Sequence, residues 1–173
     1  EAGLDTGPVL GMLTEEIRPR DTAGDLLGRL AIAGAGLVTA TVDGLAAGAV
    51  RAVPQSADGV SLAPKLTPAD ARVAWSSPAA HIDRLVRACT PAPGPWTTFR
   101  DRRVKLGPLT LTGVSSVPTS SLAIERIDGA ERVIVGTATN AVALSTVQPE
   151  GRPMMAATAW ARGARLLADD RFG

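Results

Sequence analysis

From Trp96 onwards the chain breaks into short segments of alternating apolar and polar residues, and that rhythm sets the tightest limit on its fold. The segments 96–99, 103–106, 109–114, 122–127, 132–137 and 141–147 are rich in Val, Ile, Leu and Thr. Turn signals such as Asp128-Gly129 and Thr139-Asn140 separate them, so they read as strands rather than helices. Short strands at this spacing leave few open edges if the sheet closes on itself, and the expectation is a small, mainly β, OB-like barrel with flanking helices. The leading helix starts at Ser77-Pro78, runs through His81, Ile82, Leu85, Val86 and Cys89, and ends before Pro91. Residues 90–95 hold three prolines and a glycine, which exclude regular structure, and deliver Trp96 into the first strand. A last helix is expected over 154–162, ending at Gly163.

The N-terminal part has a different pattern. Residues 9–17 are mainly apolar, β-branched at their ends, and close on the charged turn Arg18-Pro19-Arg20, as a strand would. Asp21 or Thr22 then caps a long helix, with Thr22 and Asp25 spaced for a capping box. Leu26, Leu30, Leu37, Val42 and Leu45 recur at helical spacing as far as the stop at Gly48. Gly28, Gly34 and Gly36 each cost such a helix about 1 kcal/mol relative to Ala. Packing must then hold it, and small residues would allow close approach to a sheet. Residues 49–68 are polar, contain Pro54, Pro64 and Pro68, and show no period, which reads as a linker or extended crossing.

Charge divides the chain in the same way. Residues 1–64 carry eight acids and four bases, net −4, while 65–173 carry fourteen bases and nine acids, net +5. Arg100, Arg102, Arg103 and Lys105 fall within six residues. A basic half joined to an acidic one suggests a phosphate-bearing partner for the basic half, against the plainer alternative of an ordinary solvated surface. No apolar run approaches the ~20 residues that cross a bilayer, so no membrane segment is expected. The single cysteine, Cys89, can form no internal disulfide, which fits a reducing compartment.

The residues do not compose a complete active site. Asp5 lies between Gly3 and Gly7 in GLDTG, where an Asp serves as a turn residue or as a carboxylate whose partners lie elsewhere. Asp-Thr-Gly is also the aspartic-protease triplet, but no second copy occurs to share a proton. His81 and Cys89 lack the further ligands a metal needs, no Ser or Cys nucleophile has a plausible His and acid, and phosphate-cradling glycine loops are missing. A lone carboxylate suggests that this is the back half of something larger.

In order along the chain, GLDTGPVL, the helix capped at Asp21-Thr22, Ala63-Pro64-Lys65-Leu66, Arg72-Val73-Ala74-Trp75, TPAPGPWTTF, Val104-Lys105-Leu106 and Gln148-Pro149 with Gly151-Arg152-Pro153-Met154 resemble the methionyl-tRNA formyltransferase family. The resemblance implies an α/β, Rossmann-like, incomplete remnant of a formyltransferase domain over 1–49, an interdomain linker over 50–68, and an OB-like tRNA-binding domain over 69–173. It implies transfer of a formyl group from the cosubstrate 10-formyltetrahydrofolate to the α-amine of methionyl initiator tRNA. Asp5 would be the acid of a catalytic trio whose Asn and His precede this chain, with Gly3, Thr6 and Gly7 supporting its turn. His81 matches the second domain and is not the missing His. Lys65, Arg100, Arg102, Arg103 and Lys105 become candidates for tRNA phosphates. Trp96 could stack on a base, though a place in the core is the stronger expectation. The family further implies a cytoplasmic monomer without metal or membrane. Related GLDTG formyltransferases and hydrolases, and a folate-independent RNA-binding module, are the competing readings.

Overall fold

A computed structural model gives the conformation of residues 3–173, divided into two units, Glu1–Lys65 and Leu66–Gly173. In the first, Thr22 caps helix α1 (Ala23–Ala46) through the expected reciprocal pair: Asp25 N donates to Thr22 Oγ1 at 3.2 Å and Thr22 N donates to Asp25 Oδ2 at 3.0 Å. Arg29 ties the helix to the segment before it, donating to Asp21 at 2.9 and 2.5 Å and to Glu15 at 2.5 Å. The Arg29 hydrogen bond is the main cause that holds the Asp21 carboxyl at about 2. Gly48, at φ +69°, ends the helix in the left-handed conformation that a glycine adopts without strain.

Three expectations for this unit change. No residue of α1 is buried, and Gly28, Gly34 and Gly36 face open space, so no sheet approaches them among the described residues. Residues 9–17 form no strand: only Val9 is bridged, to Val53, by hydrogen bonds of 2.8 and 2.9 Å. Leu10, Met12 and Ile17 stay exposed, and a strand without a neighbour has no ladder to make. Because α1 is continuous through its glycines, it is long and apolar enough to cross a membrane, where no such run was expected; it also carries Asp25, Arg29 and Asp43.

The second unit contains α2 (Ala79–Ala88), β1 (Trp96–Phe99), β2 (Arg102–Leu106), β3 (Leu109–Leu111), β4 (Leu122–Ile127), β5 (Ala130–Val135), β6 (Val142–Leu144), β7 (Thr146–Pro149), β8 (Met155–Ala156) and α3 (Ala157–Ala164). Hydrogen bonding arranges the strands in two antiparallel sheets, β1-β2-β7-β8 and β3-β6-β5-β4, in place of the single closed barrel expected. The reason lies at two corners. The run 141–147 breaks at Ser145, so that β6 serves one sheet and β7 the other, and β2 passes to β3 through Gly107-Pro108. At the second corner Gly107 N donates to Thr146 O at 2.8 Å, and a Cβ on Gly107 would lie 2.1 Å from Thr146 Oγ1.

One core lies between the sheets. Val104 and Val147 enter it from the first, Val133, Val135 and Val142 from the second, and Ile82 and Trp160 from α2 and α3. Alternation along β5 sends Ile134 the other way, into a small cluster with Ala141 and Ala143. The hairpin β4–β5 turns at Asp128 (φ 50°) and Gly129 (φ 77°), as a two-residue turn with both positions left-handed requires. Ser77 does not cap α2; Ala79 N donates instead to Thr139 Oγ1 at 3.1 Å, a partner 60 residues away. α3 runs past Gly163 and stops at Arg165 in the left-handed region.

Gly136 marks the closest backbone approach. A Cβ there would lie 2.1 Å from Pro118 O and 2.4 Å from Val117 O, in a parallel bridge with Thr119. Gly136→Ala is expected to cost about 3 kcal/mol in urea unfolding, because the clash is with backbone that cannot rotate away.

Candidate nucleic-acid interface and the Asp5 turn

Asp5 adopts φ 57°, a left-handed conformation that Asp tolerates better than most residues. The turn is braced from both sides. Thr6 Oγ1 donates to Gly3 O at 3.1 Å, and a Cβ on Gly3 would lie 2.7 Å from that hydroxyl, so the approach needs a glycine. Gln55 Nε2 donates to Asp5 O at 2.9 Å and to Gly7 O at 2.7 Å. The Asp5 carboxylate is left exposed on an open cleft of about 1080 Å³ lined also by Gln55, Asp58 and Leu62. Sequence patterning misses this brace, since 49–68 reads only as polar linker. Lys65 is exposed at the end of the same unit. The unit contains no His and no Asn, so the two partners that the family resemblance implies for Asp5 are not within it.

In the second unit, alternation and position along β2 together sort the basic residues. Val104 and Leu106 are buried, while Arg102 and Lys105 are exposed and Arg103 is half-buried. Arg100, in the β1–β2 turn, is committed elsewhere. Its Nε and Nη2 donate to the two oxygens of Asp170 at 2.9 and 2.7 Å, Nη1 donates to Ala164 O at 3.3 Å, and its guanidinium lies 4.8 Å from the Phe99 ring centroid. Arg102 pairs loosely with Glu150 at 3.7 Å, both side chains being well exposed. Arg103 lies over the Trp96 ring, 4.1 Å from its centroid, and its buried Nε has no hydrogen-bond partner among the described residues.

Trp96 itself is half-buried on the outer face of β1, outside the core, contrary to the stronger expectation for it. Its Nε1 donates to Pro68 O at 2.6 Å, and Arg72 also approaches the ring, at 5.5 Å.

These groups border a groove of about 760 Å³ between β2, the 149–152 turn and α3. Arg100, Arg102, Arg103 and Arg152 rim it, Glu150 is its one acid, and Met155 and Trp160 lie in its floor. A smaller adjoining cleft of about 220 Å³ adds Lys105 and Gln148 and shares Arg103. Guanidinium groups around an apolar floor suit a polyanion that also presents flat surface, such as nucleic acid. Arg152 was not among the basic candidates, because it lies far along the chain from the 100–105 cluster, and only the pairing of β2 with β7 brings the two together.

Chemistry of other kinds finds little support here. No three His, Cys, Asp or Glu side chains converge among the described residues. Burial pushes the Cys89 thiol up, with Asp70 adding a smaller push, which keeps it a protonated core group.

The model of the family described as "Formyl transferase, C-terminal domain" matches residues 65–165. A methionyl-tRNA formyltransferase of Parafrankia sp. is 58% identical over 99% of the chain and 55% of its own length. Those of Salinispora arenicola and Streptomyces coelicolor are 58% and 54% identical over 98% and 100% of the chain, covering 54% and 55% of their own lengths. The chain thus spans about half the length of the curated relatives it matches. Among solved structures, a variant of HypX from Aquifex aeolicus superposes with a TM-score of 0.70 at 18% identity, over 93% of this chain and 29% of that one. HypX in complex with tetrahydrofolic acid superposes with 0.54 at 19% identity, over 72% of this chain and 22% of that one.

The Arg100–Asp170 pair yields a stability prediction. The hydrogen bonds from Arg100 hold the Asp170 carboxyl below the usual carboxylate range, with Leu167 N adding a smaller contribution. A carboxyl with a lowered folded-state pKa stabilises fully above its unfolded value, and that contribution is lost as pH falls through the folded value. Arg100→Ala is therefore expected to lower Tm by about 5 °C at pH 7, with the gap to wild type closing below about pH 4 in a calorimetric pH series.

Proposed function

We propose a function that starts from family: this chain belongs to the formyl transferase family, whose C-terminal domain it matches over residues 65–165. The parent protein transfers a formyl group from 10-formyltetrahydrofolate to the α-amine of methionyl initiator tRNA, in translation initiation. What carries this reading is an exposed acid in a braced GLDTG turn on the same chain as a basic groove, in company with relatives of that name.

Residues 1–49 are then the end of the catalytic domain, 50–68 the linker, and 69–173 the tRNA-binding domain. The two corner-linked sheets are an OB-like barrel opened along one side. Asp5 orients and polarises a histidine contributed by the preceding segment. That histidine and an asparagine hold the oxyanion as the neutral amine attacks the formyl carbon. The new C–N bond forms, the bond from the formyl carbon to the folate nitrogen breaks, and the amine proton passes to that nitrogen. Gly3, Thr6 and Gly7 hold the turn, and Gln55 locks it through two carbonyls. An exposed carboxylate beside an open cleft fits a group that must meet both a partner residue and a large cosubstrate. The HypX structure with tetrahydrofolic acid lends the folate assignment support at the level of fold. Lys65, Arg102, Arg103 and Lys105 meet the tRNA backbone, and the protein acts as a cytoplasmic monomer.

Formyl transfer to methionyl initiator tRNA by the full-length protein tests the reading. Asp5→Asn is expected to lower kcat/KM by at least about a hundredfold with little change in tRNA affinity, since it removes an orienting charge from the transition state alone. Unchanged transfer would remove Asp5 from the site. Steeply salt-dependent tRNA binding without any transfer by the wild type would favour a folate-independent RNA-binding module.

A further inference from the structure

We infer that the groove between β2 and the 149–152 turn is a binding site for the RNA phosphodiester backbone centred on Arg103, and that Trp96 is the residue that positions Arg103 for it. The inference rests on the proposed tRNA-binding role and goes beyond it in naming which cations act and how one of them is aimed.

Arg103 carries an unsatisfied donor. Arg103 Nε is buried and unpartnered, and a charged group left so is costly enough that native structures pair it with a ligand, ion or water. Arg103 is also the cation shared by the groove and the adjoining cleft, with Arg102 and Arg152 on one side and Lys105 on the other. The guanidinium of Arg103 therefore stands where the two clefts meet, among groups that are cations but for one acid. Glu150 is the single acid bordering either cleft, and the ion pair it makes is with Arg102.

Trp96 supplies the aim. It stands diagonally across β1–β2 from Arg103, because Trp96 pairs with Lys105 and Thr98 with Arg103. At 4.1 Å from the ring centroid the guanidinium rests on the indole, which restrains where its fork of donors can reach a phosphate. The bond from Trp96 Nε1 to Pro68 O, 2.6 Å long, fixes the ring in turn. Arg100, although next to this cluster in sequence, is excluded: both its forks are spent on Asp170 and on Ala164 O. An open groove with cations spread from Lys105 to Arg152 fits a chain of phosphates better than a single small anion.

The test is equilibrium binding of unacylated tRNA to the chain across a KCl series, with thermal unfolding of each variant. Arg103→Lys keeps the charge and loses the planar fork, and is expected to weaken binding about tenfold. Trp96→Leu is expected to weaken it by a similar factor, and the double variant by no more than either alone, since Trp96 acts through Arg103. Trp96→Phe keeps a ring under the guanidinium and should stay within about threefold of wild type. Arg132→Ala, on β5 of the other sheet, should stay within about twofold. In ¹⁵N spectra the Arg103 Nε–H should be ring-shielded in the wild type, shift on adding tRNA, and lose its shielding in Trp96→Leu.

Additive losses in the double variant, or full affinity in Trp96→Leu, overturn the positioning role. If Trp96→Leu does not fold, Trp96→Phe and the Arg103 resonance decide it. Wild-type affinity in Arg103→Lys overturns the groove while leaving the tRNA-binding role intact. Failure of the wild type to bind tRNA at low salt overturns that role as well. Displacement of tRNA by low millimolar inorganic phosphate at matched ionic strength overturns the polyanion assignment in favour of a small-anion site.

Discussion

Four aromatic rings hold the second unit together. Trp75 stacks on Phe172 at 5.3 Å, Phe172 on Trp160 at 5.8 Å, and Phe99 meets both Trp160 and Phe172 edge-on, at 5.0 and 6.1 Å. Each such pair adds about 0.5–1.5 kcal/mol beyond the area it buries. More important is what the cluster joins: the segment before α2, the end of β1, helix α3 and the last residues of the chain. The chain has three Trp and two Phe, so all but one of its aromatic rings are spent here. The polar tip of Trp75 is satisfied inside the same core by Thr97 Oγ1 at 2.9 Å.

The outer face of the first sheet follows from that core. Phe99 facing inward places Arg100 in the turn beside it, and Phe172 facing inward brings Asp170 within reach, so the ring contact sets up the ion pair that occupies Arg100 at the rim of the groove. Strand alternation then leaves Val104 and Leu106 inside and Arg103 and Lys105 outside, while Arg102, on the inner face at the start of β2, stays exposed at the strand end. The one aromatic ring left over, Trp96, lies on this outer face among arginines. A core built from few large rings and many valines thus also determines which cations remain available to a partner.

Much of this was legible in the chain itself. The capping box at Thr22 and Asp25, the stop at Gly48, β1, β4 and the Asp128-Gly129 hairpin all appear where local chemistry puts them, because each depends on contacts within a few residues. Ser77 shows the limit of that method: it has the side chain and position of a cap, yet the orphan amide of Ala79 goes to Thr139, which only folding brings near. The strand expected over 9–17 fails for the same reason in reverse, since a strand requires a neighbour and β propensity does not supply one. The corner at Ser145 was invisible as well, because an apolar run that changes sheets has the same pattern as one that does not.

For the candidate sites the division is similar. The sequence by itself determined the residue chemistry: a single carboxylate framed by glycines, a knot of bases after Trp96, and a strand whose alternation puts Arg103 and Lys105 on one face. Tertiary structure decided which of them can act. It fastened the Asp5 turn with Gln55, engaged Arg100 in a pair with Asp170, brought Arg152 beside β2 on the turn that follows β7 and set Trp96 under Arg103. The physical reason is range. Turns, caps and alternation are fixed by neighbours along the chain, whereas the environment of a charge is fixed by whatever the fold brings against it, and that information lies tens of residues away.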